Sequence, residues 1–204
     1  MVAVLLALPW PGLSAESPPP TAAPAPTVAP PSAAPATAAP LEPLEALVET
    51  DGGEFVITLL PGLAPRHVRH FAKTARAGGY DRTLFHRVVP HAILQGGDPL
   101  SRDPKRASQH GSGGLGLLRS EFSKRPMTRG SVAAVLRPGD PHSGGSQFFV
   151  CLFDQPTLTG KFTVFGEVKS GMDVVDRLAD TPLVGERPQR PPVIRRVAIR
   201  AATP

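Results

Sequence analysis

From Leu41 to Ile199 the chain is a succession of short β-prone runs punctuated by Gly and Pro, and only two stretches carry apolar residues at helical spacing. That pattern limits the fold more than any other feature. Ala46–Thr50, the turn Asp51-Gly52-Gly53 and Glu54–Leu59 read as a β-hairpin with alternating apolar and polar residues, closed by Pro61-Gly62. Pro65 suits the first turn of a helix over Pro65–Ala77, in which Val68, Phe71, Ala72 and Ala75 share a face. A second helix is expected over Ser170–Ala179, through Met172, Val175 and Leu178. Further strands are expected at Leu84–Val89, Ile93–Gln95, Gly130–Leu136, Ser146–Cys151, Phe162–Val168 and Val193–Ile199. Sequential hairpins with only two helices favour an antiparallel barrel over a doubly wound α/β sheet.

The first forty residues break the pattern. Met1–Leu8 is apolar, ends at Pro9-Trp10-Pro11-Gly12 and is followed by Ser14 and Ala15, small residues of the kind found at cleavage sites. A membrane span takes about 20 apolar residues, so this run is too short for one. Residues 1–16 read as a signal peptide or an apolar tail, although no Lys or Arg precedes the run; a periplasmic or secreted location is expected, or a cytoplasmic one if the run is not a signal. Ser17–Pro40 is almost wholly Pro, Ala, Thr and Ser; it cannot bury enough apolar surface to offset its ordering entropy and is expected to be a disordered spacer before a folded domain at 41–204. The formal charge is +5, but Lys and Arg are scattered, which speaks against nucleic acid as a partner. A single Cys excludes an internal disulfide, and a monomer is expected.

Within the folded part, Phe85–Asp98 is the stretch with chemistry in it. Two β-prone runs flank Pro90 and His91 and lead into Gly96-Gly97-Asp98. Pairing around that break sets Arg87 and Gln95 opposite each other on one face of an otherwise apolar ribbon. On these residues alone, a structural Arg paired with a carboxylate explains the pattern as well as a functional one does. In Ser146–Cys151, period-two alternation puts Gln147, Phe149 and Cys151 on one face and Phe148 and Val150 on the other. Cys151 reads as a packing residue, since nothing adjacent would activate its thiolate.

Three tempting patterns carry less. Gly111-Ser112-Gly113-Gly114-Leu115-Gly116 matches G-x-G-x-x-G, but no strand precedes it and no βαβ unit surrounds it, so a mobile surface loop is the expectation. His67 and His70 lie three apart with no third ligand at sensible spacing, and read as solvated helix residues. Asp140, His142, Ser143 and Ser146 lack the nucleophile elbow and oxyanion hole of a serine hydrolase.

Phe85-His86-Arg87-Val88-Val89-Pro90 followed by Leu94-Gln95-Gly96-Gly97-Asp98 resembles the central signature of the cyclophilin-type peptidyl-prolyl isomerases. Gly145–Val150 and Gly160–Gly166 resemble two further signatures in the expected order, and Gly171–Asp176 is similar to bacterial members, so the likeness runs from about Ala46 to Ile199. It implies a closed eight-stranded antiparallel β-barrel capped by two α-helices, with a peptide groove on its outer surface. It also implies cis/trans isomerisation of X-Pro bonds in Pro-containing polypeptides, with no cofactor, no metal and no covalent intermediate, in the service of protein folding. Arg87 then matches the catalytic arginine, with Gln95 orienting it. His86, Ala92, Ile93, Gln147, Phe149, Leu158 and Phe162 match substrate-contacting positions. Three departures stand out: Ala92 where the family usually has a large aromatic, Thr157 where an aromatic is frequent, and Val135-Leu136-Arg137 in place of a run of small residues. Phe153 and Phe162 are the aromatics that could lean in to compensate. With the pocket widened at Ala92, a module that binds Pro-peptides with weak turnover is the alternative.

Overall fold

The computed structural model describes residues 43–202, so the signal-peptide and spacer readings for residues 1–16 and 17–40 lie outside the described residues. Strand β1 (Leu44–Thr50) turns through Asp51-Gly52 into β2 (Gly53–Leu59), and helix α1 (Pro65–Arg76) follows. Then come β3 (Thr83–Val89), β4 (Ile93–Gly96), β5 (Ser131–Ala134), β6 (Phe148–Cys151), β7 (Val164–Ser170) and α2 (Met172–Ala179). Strands β8 (Leu183–Val184), β9 (Arg187–Pro188) and β10 (Val193–Ala201) complete the domain. Eight strands close into one antiparallel barrel in the order β1-β10-β3-β4-β6-β5-β7-β2, and β2 pairs back to β1. Strands β8 and β9 form a separate two-stranded hairpin, an element missing from the sequence-based expectation. No helix among the described residues is long and apolar enough to cross a membrane.

Closure follows from the alternation. Val48, Phe55, Ile57, Phe85, Val88, Leu94, Val132, Phe148 and Val150 point inward and are essentially inaccessible to solvent. The rings of Phe71 and Tyr80 lie 4.9 Å apart, and both meet the Phe148 ring edge-on at 5.7 and 5.8 Å. Edge-to-face contact between ring quadrupoles adds to the burial of large apolar area. Helix α1 contributes Val68, Phe71 and Ala75 to this core, and α2 contributes Val174, Val175 and Leu178. The seam between β1 and β10 runs from Leu44 opposite Ala201 to Thr50 opposite Ile194, and Ala202 N donates to Pro43 O at 2.9 Å just beyond it.

The start of α1 corrects one expectation. His67 is buried rather than solvated, because Glu121, from the long loop before β5, folds over it. The Glu121 carboxylate accepts from the main-chain N–H groups of Arg66 (3.1 Å) and His67 (3.0 Å) and lies 2.6 Å from His67 Nδ1. The first N–H groups of a helix have no partner inside it and favour a negative charge, so a carboxylate 54 residues away caps the helix.

Candidate active site

Strands β3, β4 and β6 lie side by side, and their outward faces make the site. Phe85 pairs with Gly96 and Arg87 with Gln95, which leaves His86 as the extra residue of a β-bulge. Strict alternation would send Phe85 and Arg87 to the same face. The bulge resets the phase, so Phe85 fills the barrel while Arg87 faces outward beside Gln95. At Gly96 a Cβ would come within 2.7 Å of the Phe85 ring, so only glycine fits opposite the inward-turned phenylalanine.

A directed chain of hydrogen bonds begins at Arg87. Its Nη1 donates to Gln95 Oε1 (3.1 Å), Gln95 Nε2 donates to Gln147 Oε1 (3.0 Å), and Gln147 Nε2 donates to Gly113 O (2.7 Å). A guanidinium can only donate and a carbonyl can only accept, so the two ends of the chain fix the orientation of both amides. Gln147 is wholly inaccessible and lies one layer behind the surface, where it steadies Gln95 rather than facing the groove. His86 is also buried, with Nε2 3.4 Å from Gln95 Nε2. Burial pushes its pKa down to about 4, and the neutral ring offers the acceptor that an amide N–H requires.

Two cavities meet at Arg87 and Gln95. The smaller, about 310 Å³, is walled by Val89, Ala92, Ile93, Phe149, Leu158 and Phe162, with Val135, Leu136 and Gln155 at its edge. Phe162 stands perpendicular to Phe149 at 5.2 Å. Phe153 lies elsewhere, against His91 and under Arg129, so of the two aromatics only Phe162 borders the gap left by Ala92. The larger cavity, about 1030 Å³, shares Arg87, Gln95, Val135 and Leu136 and extends past His86 to Gly111, Arg137, Glu186 and Arg187. An apolar hollow beside a fixed cation, opening into a wider polar groove, can hold a small ring while an extended chain leads away from it.

The glycine run before β5 is locked rather than mobile. The buried carboxylate of Asp98 accepts from Leu100 N (2.7 Å), Gly111 N (2.5 Å) and Gly113 N (3.3 Å), and Ser146 N donates to Gly114 O (2.8 Å). A Cβ at Gly145 would lie 1.8 Å from Gly114 O, so the two segments approach as closely as main chains can. This anchoring holds Gly113 O where Gln147 reaches it. On the same outward face as Phe149, opposite Ile93, burial pushes the Cys151 thiol up to about 12, which suits an inert packing residue.

Residues 46–199 match the model of the cyclophilin type peptidyl-prolyl cis-trans isomerase/CLD family. The chain belongs to that family. A probable peptidyl-prolyl cis-trans isomerase of Brucella suis is 39% identical over 137 residues, covering 65% of this chain and 69% of the relative. The isomerase CYP18-2 of Arabidopsis thaliana is 38% identical over 136 residues, 67% of this chain and 80% of its own length. Among solved structures, a Cryptosporidium parvum cyclophilin crystallised in the presence of the dipeptide Ala-Pro superposes with a TM-score of 0.69 at 24% identity, over 78% of this chain and 99% of that one. Cyclophilin AquaCyp293 of Hirschia baltica gives 0.62 at 25% identity, over 76% and 73%. The resemblance read from the three signatures therefore holds, as does the closed eight-stranded barrel. This cyclophilin is a peptidyl-prolyl cis-trans isomerase acting on proline-containing peptides.

One residue of the cyclophilin groove escaped sequence reasoning. Glu186, in the turn of the β8–β9 hairpin, accepts from Arg87 Nε at 2.6 Å. Val184 pairs with Arg187 around the two-residue loop Gly185-Glu186, a Gly-X pattern that marks tight hairpins. That signal could have located the hairpin, though not what it touches.

Proposed function

We propose that Arg87 is the catalytic group of this isomerase, that the small cavity takes the proline ring, and that Gln95 orients the guanidinium. The observation that carries this reading is the position of Arg87 at the lip of the apolar cavity, with Nη1 tied to Gln95 and Nη2 without a partner among the described residues. Amide resonance sets a barrier of about 18–20 kcal/mol to rotation about the peptide bond. Twisting an X-Pro bond breaks the conjugation and localises a lone pair on the prolyl nitrogen. An N–H of the guanidinium donates to that nitrogen more strongly in the twisted state than in the planar one, and only such a difference accelerates the step. The guanidinium stays charged throughout, so no proton is transferred. Ile93, Phe149, Leu158 and Phe162 hold the ring still while the preceding carbonyl swings through the wider groove.

The test is an isomerisation assay on wild type and Arg87→Ala. Loss of a single preorganised donor typically costs roughly a hundredfold in rate, and equal rates in the two proteins would sink the assignment. The same reading extends to place: the apolar run Met1–Leu8 and the Pro/Ala-rich Ser17–Pro40 support an enzyme that assists folding outside the cytoplasm. Recovery of the protein only from the cytoplasmic fraction would refute this. The closed sheet has no free edge for a second copy to pair with, which supports a monomer.

A further inference from the structure

We infer that Glu186 is a positioning residue for the isomerisation, and that the β8–β9 hairpin exists to bring it to Arg87; this rests on the reading of Arg87 as the catalytic group. Arg87 has a long side chain, and it is 41% exposed, so packing alone does not hold it. A guanidinium with one hydrogen bond can pivot about it. Gln95 at Nη1 is one anchor (3.1 Å), and Glu186 at Nε is a second at a different edge of the plane (2.6 Å). Two anchors on a rigid planar group fix its plane and aim the remaining nitrogen, Nη2, in one direction.

The main chain, not the Glu186 side chain, fixes the hairpin. Glu186 O accepts from Val88 N at 2.8 Å, directly on the strand that carries Arg87. Val184 pairs with Arg187, Gln189 N donates to Pro182 O at 2.8 Å, and Arg187 Nη1 donates to Ala107 O at 2.8 Å. Among the described residues the Glu186 side chain takes no other hydrogen bond, so its contribution is confined to the guanidinium. An exposed ion pair contributes little to stability, which leaves geometry as what the carboxylate supplies.

The experiment compares wild type, Glu186→Ala, Glu186→Gln, Arg87→Ala and the double variant Arg87→Ala/Glu186→Ala, on a short peptide with one Ala-Pro bond, with kcat and KM separated by exchange NMR. Glu186→Ala is expected to lower kcat about tenfold with KM nearly unchanged, the pattern of an interaction expressed in the transition state. Its melting temperature stays that of wild type. Glu186→Gln keeps an acceptor oxygen and retains most of the activity. In the Arg87→Ala background, removing Glu186 has no further effect, because the two act as one unit. A Glu186→Ala rate at or above wild type, a loss that Gln does not rescue, or an equal loss in the Arg87→Ala background each overturns the inference. A fully active Arg87→Ala overturns the catalytic reading itself, and with it the role of Glu186. Loss in Arg87→Ala without loss in Glu186→Ala overturns only the latter.

Discussion

Leu94 and Phe148 point into the barrel, while their chain neighbours Ile93 and Phe149 point out of it. The same two strands thus supply two apolar clusters that differ in one respect. The inner cluster is complete: six aromatic rings, from Phe55 to Phe165, are sealed by two helices. The outer cluster of Met127, Ala133, Phe149, Cys151 and Val164 is finished by the half-buried Leu60, Ile93, Val135, Leu158 and Phe162, and among the described residues it lacks a lid. Period-two alternation delivers apolar residues to both faces with equal ease. What separates a core from a binding site here is closure, and the outer cluster is the one that a substrate ring can complete.

The sharpest way to break that contrast is to truncate neighbouring rings. Phe148→Ala is expected to cost about 3–5 kcal/mol of folding stability, because the sealed interior cannot collapse around the cavity. Phe149→Ala should cost roughly half as much, yet lower turnover of proline peptides at least tenfold, since small changes in an apolar pocket are worth on the order of 1–3 kcal/mol. Denaturant melts and the isomerase assay on both variants decide it. Equal destabilisation with equal activity would show that the two clusters are one core.

His86 belongs to neither cluster, and pH tests it. Its folded pKa of about 4 lies below the ordinary histidine value near 6.5, so between those values the unfolded chain binds a proton that the folded chain refuses. Its contribution is therefore fully present above about pH 6.5 and is lost as pH falls toward 4, a change on the order of 3 kcal/mol. Stability measured by urea titration across this window should fall in the wild type and fall less in His86→Gln. Parallel curves would remove His86 from the account. The smallest expected effect sharpens the missing lid: Ala92→Phe should tighten peptide binding or turnover roughly threefold by covering part of the small cavity. No change in the assay would mean that Phe162 already closes that wall.

The opposition of Arg87 and Gln95 was legible because a break at Pro90 and His91 fixes which residues pair, and the two faces of β6 were legible from simple alternation. The bulge at His86 was not, since counting by twos puts Phe85 and Arg87 on one face and no residue type marks the exception. Local patterns say still less about partners distant in sequence. Glu186 lies 99 residues from Arg87, and Glu121 lies 54 from His67; both contacts depend on how loops pack. The glycine run failed for a related reason. Its composition signals freedom, whereas Asp98 and the main chain at Ser146 remove it.

The seam between β1 and β10 gives the domain a mechanical character. The two strands enter and leave side by side, with Pro43 and Ala202 joined at the open end. A pull between those ends loads one pair at a time, as a zipper does, instead of shearing all the pairs together. Strand β6 sits four strands round the barrel from β1 in either direction, so the face that carries Phe149 is the last that such a force would reach.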